Sequence, residues 1–509
     1  MSAFPPASPQ ATIWRDRAEA LVAENRIDGR AFIDGQRVAA LAGATFDKHS
    51  PIDARLLTPV ARCMQADVDA AVRAARRAFD DGRWARQAPA ERKRVLRRFA
   101  ELMVQHKDEL ALLETLDMGK PIQYSLSVDV PLAARCINWF GEAIDKVYDE
   151  IAPTPHTGLA LIQREPVGVV GAIVPWNYPM LMAAWKLGPA LACGNSVVLK
   201  PSEKSPLTAM RLAELAQKAG LPDGVLNVVP GHGHEAGEAL ALHMDVDALG
   251  FTGSTNVGRK MLAYAAQSNL KRVFNELGGK SAFIVFDDCD GLERAADTAA
   301  SALFFNQGES CNAPSRLLVH EAIADEVVAR VVAQAARWQP ADPLDPITTM
   351  GALVDDGQLR TVLGYIDAGR QEGARCVAGG QQALAATGGQ YVAPTVFDGV
   401  GNGMRIAQEE IFGPVLSVIR FKDEAEAVRL ANDSRYGLQA SVWSAHIDRA
   451  HRVARALKAG TVHVNQYDED DITVPFGGVK QSGNGRDKSL HALDKYTDLK
   501  TTWIRINAS

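Results

Sequence analysis

A chain of 509 residues exceeds one ordinary hydrophobic core, so two or three domains are expected. Hydrophobic residues at 47% and charged residues at 23% exclude extensive disorder, and a net charge of −6 with both signs interspersed provides neither a basic stripe for nucleic acid nor a polybasic patch for a membrane. Small molecules and other subunits remain as partners.

The first ten residues have no basic n-region and no apolar h-region, so they do not read as a secretory signal, and the cytoplasm is expected. No apolar run reaches the roughly 20 residues needed to cross a bilayer. Residues 66–148 read as helical, with solvated Arg- and Glu-rich faces, packing over a sheet and adding no chemistry of their own. From residue 166 the pattern alternates. Strands are predicted over 167–174, 196–199, 225–229, 248–252, 272–275 and 282–286, with helices over 180–192, 207–219, 235–243 and 257–266 between them. Repeated βα units call for a doubly wound parallel sheet that binds ligands at the carboxyl ends of its strands. A helix over 295–305, a strand over 316–319, a helix over 323–336 and strands over 416–421, 440–443 and 462–465 make the second half α/β as well. Residues 150–165 and 496–506 fit neither half; each has strand-like character, and an isolated strand is commonly covered by another subunit or else frays as a loose end.

Six cysteines, Cys63, Cys136, Cys193, Cys289, Cys311 and Cys376, are dispersed without a CxxC pair or zinc-ligand spacing, so neither a disulfide framework nor a bound metal is expected. A free cysteine is by default a small buried hydrophobe. Cys311 sits in a different setting, Phe304-Phe305-Asn306-Gln307-Gly308-Glu309-Ser310-Cys311. The chain also carries Pro175-Trp176-Asn177-Tyr178-Pro179, Glu276-Leu277-Gly278-Gly279-Lys280 and Glu410-Ile411-Phe412-Gly413-Pro414. In this order the four segments resemble the signature set of the NAD(P)-dependent aldehyde dehydrogenases, and the resemblance runs from about Ala31 to Ile506.

That resemblance implies an atypical Rossmann-like NAD-binding domain over 1–148 and 166–278, an α/β catalytic domain over 279–485, and a small β oligomerisation flap over 149–165 and 486–509 that builds a homodimer or homotetramer. It makes Cys311 the nucleophile, Glu276 the base that activates water on a thioester, and Asn177 an oxyanion donor. Glu276 also speaks against the CoA-acylating branch, which typically lacks this carboxylate. The cofactor positions implied are Ile173, Pro175, Trp176, Lys200, Ser202, Glu203, Gly233, Gly237, Phe251, Gly253, Ser254, Leu277, Glu410 and Phe412. Gly231-His232-Gly233-His234-Glu235-Ala236-Gly237 alone is GxGxxxG, which a glycine-rich helix start with no ligand also satisfies. A carboxylate at Glu203 accepts from both ribose hydroxyls of NAD and repels the 2′-phosphate of NADP, so NAD is preferred over NADP.

For the substrate, the resemblance implies Asp129, Trp185, Asp470 and Phe476 as tunnel residues. The acids at 468–471 would attract an amine, although a solvated surface loop has the same composition. The run from Gly477 to Tyr496 is similar to the bacterial γ-glutamyl-γ-aminobutyraldehyde dehydrogenases of putrescine breakdown, which implies an ω-aminoaldehyde substrate. Betaine aldehyde or a broad range of aliphatic aldehydes is the alternative.

Overall fold

Apolar strand runs with helices on both sides build two seven-stranded sheets and a smaller antiparallel one in this computed structural model, which describes Phe4, residues 8–467 and residues 471–507. The first sheet runs Arg272–Glu276, Ala248–Thr252, Val169–Ile173, Ser196–Lys200, Leu226–Val228, Ala31–Ile33 and Gln36–Val38. Its first five strands are parallel. Every residue of Val169–Ile173, Ser196–Lys200 and Ala248–Thr252 is buried, as a parallel sheet covered on both faces requires. Chain order reverses at Val169–Ile173. Later strands add first on one side and then on the other, which opens a crevice at their carboxyl ends.

The second sheet runs Arg375–Ala378, Thr395–Asp398, Val415–Phe421, Arg316–His320, Ala282–Val285, Gln439–Trp443 and Thr461–Val464, parallel except at Arg375–Ala378. Thr497–Arg505, Gly158–Pro166 and Glu150–Ala152 form the small antiparallel sheet. The α/β class with Rossmann-like parallel sheets and a small β sheet is the expected one.

Several local expectations are corrected. The helix expected over 235–243 opens as a π-helical turn, Gly233–Gly237, before the α-helix Glu238–Leu242. Two strands not foreseen, Ala31–Ile33 and Gln36–Val38, extend the first sheet. They are joined by Asp34-Gly35 with φ of +51° and +78°, and Asp-Gly between short apolar runs was the available hairpin signal. Residues 486–507 divide between the first core and the small sheet. Ala492, Leu493 and Tyr496 belong to the first hydrophobic core, and Asp487 pairs with Lys186, so only Thr497–Arg505 joins the small sheet. The helical stretch of residues 66–148 also lines a cavity between the elements, through Val128 and Leu132.

Candidate active site

The crevice at the carboxyl ends of the first sheet continues into a cavity of about 610 Å³ whose other wall is built from the helix Leu292–Phe304 and loops around the second sheet. Three strand ends supply one side. Val169–Ile173 leads to Pro175-Trp176-Asn177, Ala248–Thr252 to Gly253-Ser254, and Arg272–Glu276 ends on Glu276 itself. From the other side comes Cys311, on the loop between the helix Leu292–Phe304 and the strand Arg316–His320.

That loop turns sharply. Asn306, Gln307 and Gly308 hold φ of +50°, +57° and +73° in succession, a left-handed run that side chains rarely adopt. Hydrogen bonds hold it in place. Asn306 Nδ2 donates to the carbonyls of Asn177 and Glu309, both at 3.1 Å, and the Gly351 N–H donates to Gln307 Oε1 at 3.0 Å. The Ser310 and Tyr178 hydroxyls are 2.7 Å apart. Gly308 has no room for a side chain, because a Cβ there would lie 2.3 Å from the Gly413 backbone. The loop thereby brings a half-buried Cys311 to the cavity wall. By contrast, burial pushes the thiols of Cys63, Cys136, Cys193 and Cys289 up, out of the reactive range.

Asn177 Nδ2 donates one hydrogen to the Glu309 carbonyl at 2.8 Å, which fixes the amide and leaves its second N–H for another acceptor. Glu276 is buried, and that burial pushes its pKa up to about 8 against the opposing pull of Lys186 and of the neighbouring Cys311 thiol. Behind it, Lys186 Nζ donates to Asp487 Oδ2 at 2.6 Å, and Lys495 pairs with the other oxygen. Burial alone would raise Asp487, but the two ammonium groups outweigh it and hold its pKa below the ordinary value.

The other end of the cavity has a different chemistry. Trp176 meets Phe412 edge to face with centroids 5.1 Å apart, and Glu410 Oε1 accepts the Gly279 N–H at 3.0 Å. Burial pushes Glu410 up to about 7. Beyond the cavity lining, Lys200 Nζ lies 2.9 Å from Glu203 Oε2. Ser254 caps the helix Thr255–Gln267, whose N-terminal amides face the crevice. Ile173, Phe251 and Leu277 are packed in the core beneath it. Added Cβ atoms on Gly233 and Gly237 would meet nothing within 4 Å, so these glycines leave open space. Ser202 Oγ accepts the Lys204 N–H at 3.2 Å.

Of the expected substrate residues, Trp185 and Phe476 line the cavity and Asp129 does not. Asp129 is fully buried and bound by Lys120 Nζ at 2.7 Å, because the π-helical turn Ser125–Asp129 aims Val128 into the cavity and its neighbour into the core. Asp470 lies outside the described residues, as do Asp468 and Glu469. Asp471 is half-buried and pairs with Arg135 at 2.6 Å. The sequence reading also passed over Tyr178, Phe305, Trp338 and Tyr467, which line the cavity. Tyr178 and Phe305 lay inside the signature segments; Trp338 carried no signal. Among the described residues no group of three or more His, Cys, Asp or Glu side chains is placed to hold a metal ion. No helix among them is long and apolar enough to cross a membrane.

The sequence pattern of the aldehyde dehydrogenase family matches residues 38–502. The chain belongs to the aldehyde dehydrogenase family. It is an oxidoreductase of the NAD(P)-dependent kind. It is 55% identical over 495 residues to the NADP/NAD-dependent aldehyde dehydrogenase PuuC of Escherichia coli, covering 97% of this chain and 98% of the relative. Among solved aldehyde dehydrogenases, it is 61% identical to the P. syringae indole-3-acetaldehyde dehydrogenase AldA in complex with NAD+ and IAA, with TM-score 0.96 over 98% of this chain and 100% of the other. It has the same identity and coverage, with TM-score 0.95, to the γ-glutamyl-γ-aminobutyraldehyde dehydrogenase of Burkholderia cenocepacia.

Proposed function

We propose that the protein oxidises an ω-aminoaldehyde, such as γ-glutamyl-γ-aminobutyraldehyde, to its carboxylic acid with NAD. The observation that carries the chemistry is the convergence of Cys311, Asn177 and Glu276 on one cavity whose far end presents Glu410, Trp176 and Phe412. In this reading the Cys311 sulfur attacks the carbonyl carbon, and the resulting oxyanion accepts hydrogen bonds from the free N–H of Asn177 and from the Cys311 backbone. NAD, when bound, supplies the acceptor for the hydride that leaves the thiohemiacetal carbon. What remains on Cys311 is a thioester. Glu276 takes a proton from a water that attacks it, the acid leaves, and the thiolate is restored.

Glu410 suits the hydroxyls of a nicotinamide ribose, Lys200 and Glu203 those of the adenosine ribose, and the helix start at Ser254 a pyrophosphate. The fit is supported by the open space at Gly233 and Gly237 and by Glu203, whose side chain is 35% exposed next to the buried Lys200. With that carboxylate present, NAD is favoured over NADP.

The substrate class draws support from the PuuC and Burkholderia relatives. A second reading, an arylacetaldehyde, is favoured by the rings of Trp185, Phe305, Tyr467 and Phe476 around the cavity and by the AldA likeness. Purified enzyme given ω-aminoaldehydes, their N-acyl forms, alkanals and arylacetaldehydes, with kcat/KM read from NADH formation, decides between them. Faster turnover of arylacetaldehydes than of every aminoaldehyde and N-acyl form would reject the first reading. We also place the protein in the cytoplasm, in keeping with its likeness to the bacterial PuuC, and read the small antiparallel sheet as a contact between subunits of a homodimer or homotetramer.

A further inference from the structure

Two tyrosine hydroxyls, one on each side of Cys311 in the chain, hold the turn that carries it. Residues 310–313 form a turn closed by the Ala313 N–H, which donates to the Ser310 carbonyl at 3.1 Å, so Cys311 occupies its second position. The residue before Cys311 meets Tyr178 through the 2.7 Å contact at Ser310 Oγ. The residue after it meets Tyr467, whose hydroxyl donates to the Asn312 carbonyl at 2.5 Å. That carbonyl and the Ala313 N–H belong to one planar peptide group, so both of its polar ends are tied. Tyr467 itself stands on a rigid support. The strand Thr461–Val464 is followed by Asn465, whose φ of +54° turns the chain away from the sheet. Asn465 Oδ1 accepts the Ser444 N–H at 3.0 Å, its Nδ2 donates to the Ser444 carbonyl at 3.1 Å, and Ser441 Oγ donates to the Gln466 carbonyl at 2.7 Å. The buried Tyr467 ring packs on Phe283 with centroids 5.8 Å apart and also lines the cavity. Tyr178 comes from the loop after Val169–Ile173, so the turn has one hydroxyl anchor from the loops of each large sheet.

Attack on a carbonyl carbon requires the sulfur to lie about 3–3.5 Å from it along a set direction, and a displacement of about 1 Å can cost about 10²-fold in rate. We propose that Tyr467 is a positioning residue for this attack: its hydroxyl, acting through the Asn312 carbonyl, fixes the direction in which Cys311 presents its sulfur. The inference deepens the proposed reaction and rests on Cys311 as its nucleophile. The hydroxyl carries the role, and the ring only forms wall. Removing the hydroxyl leaves the cavity lining and the packing on Phe283 in place but frees the peptide group that follows Cys311 and Asn312. The loss therefore falls on the rate of the chemical step and not on affinity for aldehyde or NAD.

The test uses the full-length enzyme in excess over butanal with saturating NAD, so that a single turnover of NADH formation reports attack and hydride transfer and not thioester hydrolysis. A residue that only supported the fold would lower the fraction of competent molecules and leave their rate constant alone. Tyr467→Phe is expected to lower that rate constant about five- to ten-fold, with KM for butanal and the calorimetric Kd for NAD within about two-fold of wild type. Alkylation of the Cys311 peptide by iodoacetamide, followed by mass spectrometry, should slow by a similar factor. An unchanged rate constant in Tyr467→Phe overturns the proposal. If that variant does not fold, 3,5-difluorotyrosine placed at position 467 keeps the hydroxyl and decides. Fluorination makes the phenol more acidic, so the donor proton is lost at a pH where the wild type retains it, and the rate constant relative to wild type should fall as pH rises. His463, whose ring lies 5.5 Å from that of Tyr467, is present in both proteins and cancels in this ratio. A ratio that stays constant with pH overturns the proposal. Failure of the nucleophile reading looks different, because Cys311→Ala would then still form NADH, whereas failure of the present inference alone leaves Cys311→Ala inactive and Tyr467→Phe at the wild-type rate.

Discussion

Glu276 is held in a state at odds with its ordinary chemistry. A carboxyl with a reference value of 4.5 raised to about 8 by burial stays protonated at neutral pH and becomes a base only as pH rises through 8. The rate of thioester hydrolysis should therefore climb through that value, and Lys186→Met, which removes the nearest favourable charge, should move the climb to higher pH. A pH profile of steady-state kcat checks both, and a flat profile from 7 to 9 with hydrolysis rate-limiting would mean that another group activates the water. The same shift has a stability consequence. The folded protein keeps a proton on Glu276 that the unfolded chain has released, so this residue's contribution weakens as pH rises from 4.5 to 8. Glu276→Gln should still form the thioester, giving a burst of NADH followed by a slow steady rate in stopped-flow absorbance. Cys311→Ala should lower turnover by about 10³-fold or more while NAD binding, read by calorimetry, persists, since Lys200, Glu203 and Glu410 are untouched.

At the level of the element, the nucleophile loop holds three left-handed residues in a row and depends on its anchors. Gly308→Ala would force a methyl to 2.3 Å from the Gly413 backbone at a φ of +73°, so a lower unfolding midpoint and a greatly reduced alkylation rate of Cys311 by iodoacetamide are expected. Tyr178→Phe is milder. It leaves the Ser310 hydroxyl without its 2.7 Å neighbour, a loss of about 1 kcal/mol, or roughly five-fold in kcat if the whole effect falls on loop position. Wild-type kcat and alkylation rate in Tyr178→Phe would show that the pair is incidental. The sequence announced this loop through its composition, but its path depends on distant partners such as Gly351 and Gly413 that no local pattern reveals. Strands such as Ala248–Thr252 were legible end to end, because a fully buried apolar run bounded by a turn and a Ser-capped helix admits little else. Asp129 was misread for the opposite reason. Which neighbour faces the cavity depends on a π-helical turn, and the i→i+5 bonding behind it has no residue signature.

For the whole molecule, the unresolved physical problem is the small sheet. Thr497–Arg505 pairs with Gly158–Pro166 along its full length and leaves its other edge open. Leu499 and Trp503 share one face of that strand, while Ile504 and, in register across the sheet, Ile151 lie on the other, all exposed, with Trp503 at 68%. An open strand edge beside exposed large apolar side chains is a surface that soluble proteins ordinarily cover. The two large cores, by contrast, are complete within one chain, and Cys311, Glu276 and Asn177 all come from that chain. Association should therefore be separable from chemistry. Trp503→Glu places a charge on the face that Trp503 shares with Leu499 and is expected to shift the protein toward monomer in sedimentation velocity, while kcat/KM per chain changes by about two-fold or less. A wild type that sediments as a monomer would show that the sheet is not a subunit contact. A Trp503→Glu monomer that has lost NADH formation entirely would instead mean that the contact supports the nucleophile loop or cofactor crevice, and that the cavity of one chain is not self-sufficient.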